Sequence, residues 1–229
     1  MDSVSNSDDI KIRVTQTKAL NTNELALIHQ LFDHAYHQAN HSYLEKSFST
    51  LRYIALAMIK KTLVGFAVAD TIKISIPRLS EPQIVTLAGI CCIDSNYRRL
   101  GLFTKLEIQA ASASNILNPD ILDTRVLACG RMAHPASFRI MNQSPAVIPK
   151  YGVPLTDWHK EVGLKVAKLY GVNIDPATLI VIGNGTPCGY PKMTYQVTEQ
   201  EELLFKDVNR DRGDSLLGIT WFPDAPENW

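Results

Sequence analysis

TLAGICCIDSNYRRLGLFTKL, running from Thr86 to Leu106, is the stretch from which the rest of the chain is read. Val85 to Ile93 is almost unbroken apolar sequence with β-branched Val85, Thr86, Ile90 and Ile93, the composition of a strand buried on both faces. Leu102, Leu106, Ala110 and Ala113 then recur at helical spacing. Between the two lies Arg98-Arg99-Leu100-Gly101-Leu102-Phe103, a glycine turn with basic side chains at a helix start. The first turn of a helix leaves N–H groups without intrahelical partners, and the macrodipole adds roughly half a positive charge there. A phosphate suits both.

Ile93 to Leu106 resembles the acyl-CoA-binding motif of the GCN5-related N-acetyltransferases, V-x-P-x-Y-R-G-x-G-[LI]-[GAF]-x-x-L. The apolar strand end, Tyr97, Arg98, Gly101, Leu102 and Leu106 match. Ser95 stands where the family has proline, Arg99 replaces the first glycine, and Phe103 a small residue. A second block, Val126 to Met141, is similar to the family's next strand and its N-P-x-x-x-R helix.

The resemblance implies an α/β (α+β) fold: a mixed, mostly antiparallel central sheet flanked by helices, with a C-terminal extension over 198–229 and a helical insertion over 153–177. It implies one acyltransferase domain over 1–229, with acetyl-CoA (acyl-CoA) as co-substrate. The CoA would lie in a V-shaped gap near Ile93 and Cys129. The residues that would hold it are Cys92, Ile93, Arg98, Arg99, Leu100, Gly101, Leu102, Phe103 and Thr104. The acceptor, a small molecule or an amino group, would attack the thioester directly. Many family members have a tyrosine seven residues after the helix-opening Asn or His, and here that position is Met141. Val85 to Ile93 also lacks the strand glutamate that others use as base. His134 and Asp94 remain as candidate catalytic residues.

The chain has 229 residues, 45% hydrophobic, enough for a sizeable core. Lys and Arg total 23 against 23 Asp and Glu, so no global field draws the protein to nucleic acid or anionic lipid. Residues 1–9 are polar and acidic and read as a loose tail without signal-peptide character, and the apolar runs are too short for a membrane span, so the expectation is cytoplasmic. Cys91, Cys92, Cys129 and Cys188 have no C-x-x-C spacing and read as buried free thiols.

Ile10 to Val14 alternates as a half-exposed first strand, and Asn21 with Glu24 forms a capping box opening a helix with Leu25, Ile28, Leu31, Phe32, Ala35 and Tyr36 on one side. His34, His37 and His41 fall on its other face, where no carboxylate or cysteine completes a metal site, so no metal is expected. Ser42 to Thr50 reads as a second helix, and Tyr53–Ile59 with Leu63–Ala69 as a hairpin. Asn115 to Asp120 reads as a helix end and loop, Thr124 to Cys129 as a strand, and His134-Pro135 as a helix start. Ser144 to Pro154, with three prolines, is expected to run over the surface and shape a pocket rim.

Thr156 or Asp157 caps a helix to Tyr170, closed by Gly171. Thr178–Ile182 and Met193–Val197 read as the last two strands of the family fold, Glu199 to Val208 as a short helix, and Ser215 to Pro223 as an edge segment. Gly183-Asn184-Gly185 is turn chemistry, since no helix with a Lys-Ser or Lys-Thr follows it. Two functions fit: an acetyltransferase acting on an amine, and a catalytically silent domain of this fold that binds acyl-CoA or a partner protein.

Overall fold

The computed structural model describes residues 10–117, 124–192, 194 and 196–229. The expected tail, the loop residues 118–120, and positions 193 and 195 of the expected strand over 193–197 lie outside the described residues; 194, 196 and 197 are not in a strand. In chain order the first elements are β1 (Lys11–Gln16), α1 (Thr22–Ala35), β2 (Tyr36–His37), α2 (His41–Thr50), β3 (Tyr53–Ile59), β4 (Thr62–Ile74), β5 (Gln83–Ile93) and α3 (Leu102–Ser112). They are followed by β6 (Val126–Met132), α4 (Pro135–Asn142), α5 (Asp157–Leu169), β7 (Ile174–Asp175), β8 (Ile180–Val181), β9 (Tyr190–Pro191), α6 (Glu199–Phe205) and β10 (Ser215–Phe222). No helix among the described residues is long and apolar enough to cross a membrane.

Eight strands make one mixed sheet in the order β1-β3-β4-β5-β6-β10-β8-β7, and β2 pairs with β9 in a separate ribbon. The pair β5–β6 is parallel and the other neighbours are antiparallel. This is the expected mostly antiparallel sheet flanked by helices. The parallel pair forces a crossover, which α3 makes.

Side-chain size decides which helix covers which face. Along β3 and β4, Ile54, Leu56, Phe66 and Val68 point into the core shared with α1, α2 and α5. The intervening Ala55, Ala57, Ala67 and Ala69 meet Leu102, Leu106 and Ala110 of α3. Alanines let α3 approach closely: a Cβ added at Gly65 would lie 3.1 Å from Leu106 Cδ1. The helix starts follow the local sequence, with a full capping box at Asn21 and Glu24 and a side-chain cap at Thr156.

Three expectations are corrected. Ser215 to Phe222 is interior rather than an edge: β10 lies between β6 and β8, and Leu216, Leu217, Ile219 and Trp221 are at most 1% exposed. Its near-continuous apolar run is what a strand covered on both faces requires. The segment 144–154 does not stay on the surface either. Val147 and Ile148 are buried, and Ile148 exchanges hydrogen bonds of 2.8 and 2.9 Å with Ile219. Finally, the three histidines do not share a helix, because Tyr36 turns extended (φ −115°, ψ 143°) and ends α1, leaving His37 in β2 and His41 at the start of α2.

The sheet's main irregularity is in β5. Ala67 pairs with Cys91 but Ala69 pairs with Ala88, so Val68 stands opposite two residues, Gly89 and Ile90, in a β-bulge. A Cβ on Gly89 would sit 2.7 Å from Leu51 Cδ1 and Ser47 Oγ and 2.9 Å from the Val68 carbonyl oxygen. Backbone cannot yield as a side-chain tip can, so Gly89→Ala should destabilise the fold by about 1–3 kcal/mol. Urea denaturation checks this; wild-type stability in the variant would show that the bulge has room to relax.

Candidate functional site

The site begins where β5 ends. The Asp94 carboxylate accepts the Asn96 N–H at 2.9 Å and starts a 3-10 turn over Ser95–Tyr97. Arg99 (φ 67°) and Gly101 (φ 70°) then take left-handed backbone, which swings the chain into α3. The other five α-helices have a side-chain cap, from Asn21, Asn40, His134, Thr156 and Thr198. Gly101 supplies none to α3, and nothing lies within 4 Å of where its Cβ would be. Among the described residues the first-turn N–H groups of Leu102, Phe103 and Thr104 thus have no side-chain cap from Gly101, a geometry that could hold a phosphate. Leu100 and Phe103 flank it, each 37% exposed.

Arg98 and Arg99 divide in role. Arg98 turns inward: its guanidinium donates to the carbonyls of Ile93 (3.1 Å), Lys192 (2.6 Å) and Ala35 (3.4 Å), tying β5, the chain after β9 and the end of α1 together. Arg99 is exposed.

Above the bulge the sheet forks. Pairing of β5 with β6 runs from Ile84–Val126 to Ala88–Gly130 and then stops, although β5 continues to Ile93 and β6 to Met132. The Asp94 N–H points to Val64 of β4, so by strand alternation Ile93 and Cys91 turn their backbone groups to the edge that β6 has left. Side chains from elsewhere reach that edge. Tyr36 donates its hydroxyl to the Cys91 carbonyl (2.9 Å), and the Tyr170 hydroxyl lies 2.8 Å from the Ala88 carbonyl and 3.0 Å from that of Cys129, at the crotch of the fork. Burial holds both tyrosines well above their ordinary pKa, so they remain protonated donors.

The gap therefore opens at Gly89–Ile93 against Arg131–Met132, and Cys129 lies just below it in the paired section rather than beside it. The Cys92 thiol is fully buried toward α1, with Sγ 3.8 Å from the Leu31 carbonyl, and burial pushes it and the Cys91 thiol up. A raised thiol pKa disfavours the nucleophilic thiolate at neutral pH.

Two titratable groups border the opening. Glu107, half-buried on α3, is close enough to raise the pKa of both the Cys91 thiol and the Tyr170 hydroxyl, and burial pushes its own carboxyl up to about 8. His134 opens α4 and accepts the Ala136 N–H on Nδ1 at 3.2 Å. A neutral imidazole so engaged carries its proton on Nε2, where it donates. Burial, with Arg210 and Arg139 nearby, lowers its pKa and keeps it neutral. Its ring stacks on Tyr190 (centroids 5.8 Å apart), which His37 and the Arg210 guanidinium also contact. These last three and their neighbours line an open cavity of about 490 Å³.

Asp94 and His134, singled out in the sequence, thus both serve as caps, while Tyr36, Tyr170 and Glu107 were missed. Glu107 had left a signal: it stands three and four residues before buried Ala110 and Ala111, a carboxyl at the border of an apolar helix face. The tyrosines left none, since both read as ordinary core positions at helix ends.

No family model matches the chain, and no curated protein does. Solved structures that are similar include the NatC complex bound to Gag peptide and CoA (14% identity, 59% of this chain and 82% of that one, TM-score 0.38). A GNAT family N-acetyltransferase, YhbS of Escherichia coli, in complex with CoA, matches at 15% identity over 58% of this chain and 67% of its own, TM-score 0.38. ElaA of Escherichia coli matches at 15% identity over 65% and 93%, TM-score 0.35.

Removing three charge-assisted hydrogen bonds at once, Arg98→Ala should cost about 2 kcal/mol or more of stability, whereas Arg99→Ala should leave the fold unchanged. Equal melting temperatures for the two variants would contradict this division. For Glu107, the folded-state value lies above the ordinary 4.5, so the fold favours the protonated form. Its contribution is whole below about pH 4.5 and is lost as pH rises through about 8. Glu107→Gln should flatten the decline in melting temperature over that window, and an unchanged decline would assign the pH dependence to another group.

Proposed function

We propose that this protein is an acyltransferase of the GCN5-related N-acetyltransferase kind, transferring the acetyl group of acetyl-CoA to an amine. The observation that carries this reading is the fork between β5 and β6, set directly beneath an uncapped, glycine-opened helix N-terminus at the end of the same strand. A pyrophosphate in the turn would accept from the N–H groups of Leu102, Phe103 and Thr104, with Arg99 adding charge at the rim. The pantetheine arm would then run along the free edge of β5, where the Cys91 and Ile93 amides can meet its own amides and the thioester carbonyl.

In the transfer the neutral amine nitrogen attacks the thioester carbon and the carbon–sulfur bond breaks; the proton left on the nitrogen is lost to water or to the departing sulfur, giving the amide and CoA as thiolate or thiol. A thiol's reference pKa near 8.5 makes that departure tolerable without an acid. The acceptor's ammonium proton must go first. We assign Glu107 to receive it, since a carboxyl raised to about 8 is poised near working pH, and His134 to donating a hydrogen bond from Nε2 beside Tyr190. Activity should then rise with pH through about 8 in wild type and lose that limb in Glu107→Gln.

The test of the whole reading has two stages. CoA should raise the melting temperature by mass action, and Gly101→Asp should abolish the shift, because it sets a negative charge where the phosphate would lie; its left-handed φ of 70° makes any side chain there cost about 1 kcal/mol or more, so the folded state of the variant is checked by circular dichroism. Undiminished CoA binding by that variant would overturn the cofactor site. Acetyl transfer is then read as CoA release across a panel of amines. The engagement of Asp94 and His134 as caps favours a second reading, a domain that holds acyl-CoA without turnover; CoA binding with no release on any amine would select it.

A further inference from the structure

Arg131 is the first β6 residue beyond the last β5–β6 pair, and its side chain turns into the crotch of the fork. Its guanidinium lies over the Tyr43 ring, 5.1 Å from the centroid, and reaches Ser215 Oγ only at 3.5 Å. Among the described residues its Nε is buried without a hydrogen-bond partner and no carboxylate lies in salt-bridge range of it. Arg52, Arg139 and Arg212, by contrast, each hold a carboxylate that is mostly buried. Across the same cavity stands Ser47, 9% exposed, its Oγ likewise buried and unpartnered. Lys46, Gly89 and Tyr170 complete the walls, around about 20 Å³ of space, more than one water needs.

A half-buried guanidinium whose Nε has no partner and a buried hydroxyl converge here on one void, and unsatisfied buried donors cost free energy that a bound acceptor would recover. Both can donate, the surroundings are cationic, and the complementary group is an anion small enough to enter beside α2. Gly89 places this pocket next to the bulge from which the free edge of β5 departs toward Cys91. We infer that Arg131 and Ser47 form the subsite for a carboxylate on the acceptor, so that the acceptor class is an amino acid, its carboxylate in the crotch of the fork and its amine toward the thioester. This rests on the acetyl-transfer reading for the amine, but not for the anion site.

Two measurements separate those dependencies. In the first, CoA release is followed with matched acceptors, L-lysine against L-lysinamide and glycine against glycinamide. Wild type should prefer the acids by at least tenfold in kcat/KM, Arg131→Gln should raise KM for the acids at least tenfold while leaving the amides unchanged, and Ser47→Ala should raise it severalfold. Ser47→Ala removes a buried unpaired hydroxyl and keeps the fold, so the test stands even where Arg131→Gln fails to fold. Equal kcat/KM for acid and amide would overturn the proposal and leave acetyl transfer intact. In the second, sodium acetate is added at constant ionic strength against sodium chloride. Acetate should raise the melting temperature of wild type and not of Ser47→Ala or Arg131→Gln. That result without CoA release on any amine would keep the anion site and sink acetyl transfer; no acetate effect together with no acid preference would remove the subsite.

Discussion

The structure depends on a loss of hydrogen bonding between two neighbouring strands. One extra residue in β5, at Gly89–Ile90, bends that strand away from its parallel partner, so the ladder that runs to Ala88–Gly130 cannot continue. Backbone groups turned to the vacated edge must find other partners, because a buried unpaired carbonyl costs about as much as a lost hydrogen bond. The carbonyl of Cys91 takes the Tyr36 hydroxyl, that of Ile93 takes Arg98, and those of Ala88 and Cys129 share Tyr170.

Those three side chains come from the end of α1, the turn after β5 and the end of α5. Holding the fork open therefore also locks the helices of one face to the sheet. Arg98 extends the same link to the chain after β9, and with it to the ribbon that carries Tyr190 beside His134.

Most buried or half-buried carboxylates are matched, Asp70 by Arg52, Asp214 by Arg212 and Glu201 by Arg139. Among the described residues, Glu107 on one side of the opening and Arg131 on the other have no ion-pair partner, as is also true of half-buried Asp94 and Asp175.

Much of the chain was legible in one dimension because the deciding interactions are local. The bulky and alanine alternation of Tyr53–Ile59 and Leu63–Ala69, the Asn21 and Glu24 capping box, and the apolar run ending at Ile93 before Gly101 each specify their element from within a few residues. The interior place of β10, the burial of Ile148 and the end of α1 at Tyr36 were not legible, because each is set by a partner distant in sequence. The same reason separates Arg98 from Arg99: adjacent and alike in sequence, one faces three backbone carbonyls and the other solvent. Sequence alone determined the strand, the glycine turn and the helix start that follows it, since those need only backbone geometry. The tertiary fold alone decided where the strands part, and which tyrosines, carboxyl and guanidinium surround the opening, since hydrogen-bond partners and burial are properties of neighbours that the chain brings together only on folding.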